Sequence, residues 1–306
     1  MRRYLFERLV STIPALWLVV TLVFLLIHLV PGDPVQLMLG EGARPGDVAA
    51  LREELGLNEP LASQYIHYWW GLVRGEWGES LRFHEPVLHL IAERYPATLA
   101  LALSSLLVSL GLAIPAGVTA AAHRGKWADR AIGMVSLAGL SFPNFALGPI
   151  LILVVSVKLG WLPVSGRGGI SHMVLPAVTL GAALAAILTR MVRSAMLEEL
   201  SSDYVRTARA KGVSEKWVFY RHALKNALIP ILTVIGLQLG TLLAGAIVTE
   251  MIFAWPGLGR LTVQAISARD YSLLQGCVLV IGLSYVLVNL LTDLAYSAVD
   301  PRIRRR

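Results

Sequence analysis

The sequence predicts an all-α membrane protein with six transmembrane helices and a small external helical insertion between the first two. Hydrophobic residues make up 56% of the 306 residues and charged residues 15%, against roughly a quarter charged in a soluble domain. The apolar residues form long blocks with few charges, each able at about 1.5 Å per residue to cross a hydrocarbon core of about 30 Å. Lys and Arg concentrate in alternate connecting segments.

The first helix is expected at about residues 9–30. Arg2 and Arg3 ahead of an apolar run are also typical of a secretory signal. This run is about twice as long as the apolar core of a signal, and it ends without a small-residue cleavage site. We therefore expect an uncleaved anchor, which together with the external segment forms an N-terminal domain, residues 1–94.

The external segment is predicted to contain two short helices. Pro31 and Gly32 end the first span, because both residue types oppose helix continuation. Asp47 is suited to cap a helix that closes at Gly56, and a second helix is expected over 60–74. An aromatic cluster here favours a belt at the headgroup level of the membrane, with a sugar-stacking platform as the alternative; it comprises Tyr65, Tyr68, Trp69, Trp70 and Trp77.

Five more helices are predicted in the second domain, residues 95–297. Their bounds are about 97–122, 131–157, 173–193, 227–250 and 272–296. Charged residues flank each apolar block and set these limits. The connection between the fourth and fifth spans contains a loop at 198–226.

Basic residues indicate the orientation, since Lys and Arg in short loops stay in the cytoplasm. The two termini and the connections after the second and fourth spans hold 18 of the 27 Lys and Arg residues. The opposite side holds nine, and its segment 31–96 has ten acidic and five basic residues, a net charge of −5. We therefore predict that both termini are cytoplasmic. The net charge of +7 follows this topology, which argues against a nucleic-acid-binding protein.

Two places inside the spans are candidates for a transport pathway or gate. Pro143 is expected to kink the third span, because proline removes a helical hydrogen bond. Pro143 and Asn144 then either line a pathway or have a structural role. In the fifth span Gln238 lies between Gly236 and Gly240, whose spacing permits close helix approach. We favour packing there and keep Gln238 as a possible pathway residue.

The chemistry that the sequence lacks narrows the function. The ionisable residues of the spans fall near span ends, where water reaches acids and long side chains extend to the interface; they are His28, Arg190, Glu250 and Asp293. This placement argues against a proton-coupled secondary carrier. The sequence contains no P-loop motif and no His or Cys spacing typical of a metal site, so we expect the chain itself to bind no cofactor or metal.

The loop at 198–226 is predicted to form two helices that meet at a glycine. Ser202 or Asp203 starts the first helix, which reaches about Lys211, and Gly212 ends it. The second helix continues toward the fifth span. One interpretation is an amphipathic basic loop that lies on anionic headgroups. Small side chains instead suit insertion into a groove of a partner; they are Ala208, Ala210 and Gly212.

These residues resemble the EAA loop of ABC importer permeases, the element that docks on the ATPase subunit. Ala208, Gly212 and Leu224 match the general pattern, and 203–212 with 221–230 resembles the peptide and nickel subgroup. Further motifs resemble the first permease subunit of dipeptide, oligopeptide, glutathione or nickel systems. They are Pro31-Gly-Asp-Pro34, Leu55-Gly-Leu-Asn-Glu-Pro60, Ser141-Phe-Pro-Asn-Phe145, Gly160-Trp-Leu-Pro163, Phe253-Ala-Trp-Pro-Gly-Leu-Gly-Arg260, Arg269-Asp-Tyr271 and Asp300-Pro-Arg-Ile-Arg304.

The resemblance implies the type I ABC importer transmembrane-domain fold and a non-catalytic permease subunit of a bacterial or archaeal plasma (inner) membrane. The partners that it implies are a second homologous permease subunit, two ABC ATPase subunits that bind ATP and Mg, an external solute-binding protein and membrane lipid. The residues that it assigns to the ATPase-coupling loop are Asp203, Arg206, Thr207, Ala208, Ala210, Lys211, Gly212 and Leu224.

Peptides are the expected substrate, with glutathione or a nickel chelate carried by the same architecture as the alternative. No Cys or His cluster favours a metal. Two hypotheses of a different class remain open. A secondary carrier would transport solute without an ATPase, and a membrane scaffold would move no solute.

Overall fold

The computed structural model of the chain describes residues 2–29, 34–39, 42–54 and 56–299. The predicted helix end at Pro31 and Gly32, Leu55 of the second motif and the motif at 300–304 lie outside these ranges. In chain order the helices are α1 (Arg2–Leu29), α2 (Pro34–Leu39), α3 (Pro45–Glu54), α4 (Leu61–Arg74), α5 (Val87–Ala122), α6 (Trp127–Ser141), α7 (Asn144–Leu151), α8 (Ile170–Leu200), α9 (Asp203–Ala210), α10 (Glu215–Trp217), α11 (Leu224–Gly245), α12 (Ile247–Ile252), α13 (Leu258–Ala268) and α14 (Tyr271–Val299). Two π-helical segments, Ile152–Lys158 and Val218–Ala223, follow α7 and α10.

Within the described ranges, five helices are long and apolar enough to cross a membrane: α1, α5, α8, the continuous run Glu215–Leu243 that includes most of α11, and α14. The third predicted span consists of two pieces, α6 and α7 with its π-helical extension, which meet at an angle of 105°. Counted as one broken span, this pair gives the sixth. The predicted all-α membrane class is confirmed.

Pro143 breaks the third span more sharply than the kink predicted from the sequence. Proline disfavours helical backbone at the preceding residue, and Phe142 is accordingly extended, with φ −87° and ψ 122°. Pro143 then occupies the position just before α7. The N–H that proline lacks is not needed at a helix start. Pro143 therefore both ends α6 and allows α7 to begin.

The structure shifts several of the predicted helix ends. α5 begins at Val87 rather than 97, and α8 ends at Leu200 rather than 193. Charged residues such as Glu93 lie on exposed faces of these helices, so they do not end them. The fifth predicted span, 227–250, is instead divided at Ala246 between α11 and α12. Asp47 lies inside the first turn of α3 rather than at its cap.

Small residues let the central helices approach closely. A Cβ added at Gly117 of α5 would lie 2.6 Å from the Cβ of Val192 in α8. In α11, a Cβ at Gly240 would lie 2.8 Å from the Tyr285 ring of α14. These contacts confirm the predicted small-residue packing of the fifth span.

Helix α4, in the segment predicted to be external, packs against α1 and α14. The Tyr65 hydroxyl lies 2.7 Å from that of Thr21, and the Tyr65 ring lies 5.1 Å from that of Phe24. A shared apolar cluster includes Val20, Val23, Tyr68, Trp69, Trp77 and Leu279. Four of the five predicted belt residues thus pack partly on protein, and Trp70 is the exposed member, at 58%. Their position at headgroup level stays a prediction.

The loop before α14 fastens the external segment to the membrane domain. Asp270 is buried and accepts a hydrogen bond from the Leu273 N–H at 3.1 Å, which caps α14. Its other carboxylate oxygen accepts from the Ser80 hydroxyl at 2.6 Å and the Arg82 N–H at 3.3 Å. One aspartate thus positions two segments.

Candidate coupling site

Helix α9 is defined by local sequence at both ends. Ser202 precedes it, as predicted, but its hydroxyl donates to the Glu199 carbonyl at 2.6 Å instead of capping α9. At the other end Gly212 adopts φ +76°, a left-handed conformation that is unfavourable for residues with a Cβ. The turn is closed by the Val213 N–H, which donates to the Ala208 carbonyl at 3.2 Å.

One face of α9 is buried and the other is exposed. Val205 and Ala208 pack against Val218, so they hold the helix to the protein. Leu224, also assigned to coupling, is half-buried and packs against the cluster formed by α5, α8 and α11. The remaining residues assigned to coupling are exposed: Asp203, Arg206, Thr207, Ala210, Lys211 and Gly212.

Polar contacts join α9 to the segment that leads into α11. Arg209 donates two hydrogen bonds to the Glu215 carboxylate, at 2.8 and 3.1 Å, across the Gly212 turn. These bonds raise the pKa of Arg209 above its ordinary value. The Tyr204 hydroxyl donates to Glu199 at 2.6 Å, and burial is the main cause that raises the pKa of Tyr204.

A cleft of about 980 Å³ adjoins α9 on the side of the π-helical turn. Its lining combines aromatic and basic side chains, and Arg221 stacks over the Trp217 ring at 5.3 Å. The helix and the cleft together present an exposed polar surface beside an aromatic depression, an arrangement suited to contact with another protein. No group in this region has the geometry of a catalytic nucleophile and base.

Two family models match the chain. Residues 113–305 match the family model described as binding-protein-dependent transport system inner membrane component. Residues 1–102 match the model for the N-terminal part of such membrane components. The chain belongs to this family of ABC importer permeases. The family predicted from the motifs is thereby confirmed.

Relatives of this permease align along its full length. It is 45% identical over 304 residues to the glutathione transport system permease protein GsiC of Escherichia coli (strain K12), covering 99% of each chain. The same identity and coverage hold for GsiC of Shigella dysenteriae serotype 1. An inward-facing structure of the MetNI methionine ABC transporter has a TM-score of 0.60 at 21% identity, covering 71% of this chain and 99% of that one. This likeness confirms the type I importer fold.

The candidate pathway residues of the permease lie in two different elements. Pro143 stands at the break between α6 and α7, and the backbone of Asn144 begins α7. Gln238 is half-buried in α11. Their role stays a prediction.

The permease also contains a buried carboxylate that sequence reasoning placed wrongly. Glu250, expected to be wetted at a span end, is fully buried. It accepts hydrogen bonds from the Thr98 hydroxyl at 2.7 Å and the Arg260 N–H at 2.9 Å. The glycines at 257 and 259 were a sequence signal of this close packing, because a Cβ at either position would crowd the Glu250 carboxylate.

In the described ranges, no group of three or more His, Cys, Asp or Glu side chains could hold a metal ion. Cys277, the single cysteine of the chain, is buried in the apolar cluster between α5, α13 and α14.

Proposed function

We propose that this permease forms half of the translocation pathway of an ATP-driven peptide importer and that α9 docks on a partner ATPase. The observation that carries the proposal is the exposed face of α9. The opposite face is held to the protein by Val205 and Ala208. The Arg209–Glu215 contact joins α9 to the helix that continues into α11. A displacement of α9 would therefore move a membrane span.

The proposed complex contains a second homologous permease subunit, two ATPase subunits and an external solute-binding protein. ATP and Mg are bound by the ATPases, since this chain has no P-loop motif. The charge distribution supports an orientation with α9 and both termini in the cytoplasm, because 18 of the 27 basic residues lie on that side. ATP-driven closure of the ATPases would then pull α9 and open the pathway outward.

The proposed substrates are short peptides, among them glutathione. Glutathione is itself a tripeptide, and the 45% identical relatives are named as its permeases. A nickel chelate remains the alternative with less support, because the chain shows no Cys or His cluster. The solute-binding protein is expected to make the main selection among peptides.

A cross-linking experiment tests the docking proposal. The native cysteine, Cys277, is buried, so a cysteine introduced at Thr207 supplies an accessible thiol on α9. We expect Thr207→Cys to cross-link to an ATPase subunit in the assembled complex. Lys158→Cys, at an exposed residue that the charge distribution assigns to the opposite side of the membrane, is the matched control and is expected to give no such product. Equal yields, or none at Thr207, would contradict docking through α9.

A transport measurement separates the three function classes. Proteoliposomes that contain the complete complex are expected to take up peptide only with ATP inside the compartment that the ATPases face. Uptake by the permeases without ATPases would instead indicate a secondary carrier. A complete complex that moves none of a panel of peptides would indicate a scaffold.

A further inference from the structure

A groove of about 760 Å³ runs between α6, α8 and α11, at the end of the membrane domain that carries α9. Its walls are largely apolar and include Leu137, Leu140, Ile187, Met191 and Val234. Leu140 lies three residues before Pro143, and Val234 lies four residues before Gln238. The groove thus includes residues of α6 and α11 that lie within about one helical turn of Pro143 and Gln238 along the chain.

Charges at this groove leave a positive excess. Its lining includes Asp129 together with Arg130, Arg190 and Arg193. Asp129 accepts two hydrogen bonds from Arg193, at 2.6 and 2.8 Å, and a third from the Gly125 N–H at 2.9 Å. Its negative charge is thus already neutralised by Arg193, and Arg130 and Arg190 carry the net positive charge of the groove.

Arg190 is placed differently from the other two arginines. Arg130 and Arg193 lie beside the polar turn at the end of the domain, whereas Arg190 lies about one turn further into the span of α8. Its side chain is exposed to the groove, and among the residues that the structure describes no carboxylate lies within ion-pair distance of it. A cation inside a span is costly unless it faces water or an anion, and such residues commonly mark solute pathways.

We propose that this groove is the inner part of the translocation pathway and that Arg190 binds the carboxylate of the passing solute. The inference rests on the proposed function, since peptides, glutathione included, carry a terminal carboxylate. A guanidinium matches a carboxylate with two parallel hydrogen bonds. The apolar walls accommodate side chains of different kinds, so the shared anionic group is the feature that Arg190 recognises.

The test compares each peptide with its C-terminal amide in proteoliposomes of zwitterionic lipid that contain the complete importer. Uptake by each variant is expressed relative to wild type for the same peptide, because the solute-binding protein has its own preferences. Arg190→Gln is expected to lower uptake of the acid form about tenfold, because one charge-assisted hydrogen-bonded contact is lost. Uptake of the amide is expected to fall less than about twofold. Arg190→Lys is expected to recover part of the loss. Lys126→Gln, exposed at the same end but outside the groove, is the control and should change neither rate.

Each other result has a distinct meaning. If Arg190→Gln lowers uptake of acid and amide equally, Arg190 is structural and the inference is wrong. If the defect appears only when anionic lipid is added to the vesicles, the guanidinium binds headgroups, which also overturns it. If the wild-type complex transports neither form of any peptide, the proposed function fails and this inference fails with it.

Discussion

Glu250 and Thr98, 152 residues apart in the sequence, form a 2.7 Å hydrogen bond inside the protein. Both side chains face the start of α13. The Leu258 N–H donates to the Thr98 hydroxyl oxygen at 2.7 Å, and the Arg260 N–H donates to Glu250 at 2.9 Å. The first N–H groups of a helix have no partner within it, and a carboxylate there also interacts favourably with the helix dipole. Two distant elements, α5 and α12, thus supply the cap of a third.

Removing the Thr98 hydroxyl should destabilise the permease. Thr98→Val keeps the shape but leaves the Leu258 N–H unpaired and takes one donor from Glu250, at a cost of about 1–3 kcal/mol in unfolding free energy. Chemical unfolding in detergent micelles measures this. Thr241→Val is the matched control, because the exposed Thr241 hydroxyl bonds only its own helix, at Leu237. Equal losses in the two variants would show that the cap is unimportant.

A side chain at Gly257 should be poorly tolerated. An added Cβ would overlap the Glu250 carboxylate, so Gly257→Ala has to displace a buried charge from its donors. We expect a loss of about 3 kcal/mol or more in stability. Gly111→Ala, at an open position on α5 with nothing within 4 Å of its Cβ, should instead gain up to about 1 kcal/mol from helix propensity. A folded Gly257→Ala protein as stable as wild type would refute the packing seen here.

Asp270 should hold the external segment in place. Asp270→Ala removes the cap of α14 and the acceptor for Ser80, whereas Asp270→Asn keeps an oxygen that caps the helix. Hydrogen exchange over residues 80–86 is expected to accelerate strongly in the alanine variant and less in the asparagine variant. The thermal midpoint should fall in the same order, and an unchanged exchange rate in Asp270→Ala would contradict this role.

Gly212→Trp should uncouple ATP hydrolysis from uptake. The substitution strains a residue at φ +76° by about 1–2 kcal/mol and places a large side chain on the proposed docking surface. We expect an assembled complex with normal or raised ATPase activity and little peptide uptake. Gly125→Trp, at φ +77° in an exposed turn outside α9, carries the same strain and serves as the control. Normal coupling in Gly212→Trp would argue against docking at this turn.

Much of α9 was predictable because it depends on neighbouring residues. Ser202 and Gly212 mark its ends, and the intervening helix follows from their local backbone preferences. The division of α9 into two faces was not predictable from the motif. Ala208 matches the family pattern yet is buried against Val218, because the second helix folds back over the first.

The break in the third span was predictable in position but not in size. Proline at 143 makes a kink, whereas the 105° angle depends on where α7 finds its packing partners, among them Ile252 and Phe253 beside Gly148. The aromatic residues of α4 show the same limit. Their side chains suit both a headgroup layer and a protein surface, and the fold alone shows that most of them contact α1 and α14.

By itself the sequence determined the membrane class, the apolar spans, the family and the helix–glycine–helix loop, because apolar runs, helix ends and short motifs are all local properties. Only the tertiary structure decided which polar side chains of the span ends are buried. Glu250 pairs with Thr98, Asp270 with Ser80 and Arg193 with Asp129, over separations of 152, 190 and 64 residues. The reason is physical: water satisfies an exposed carboxylate anywhere, whereas a buried one needs donors from whichever element folds beside it.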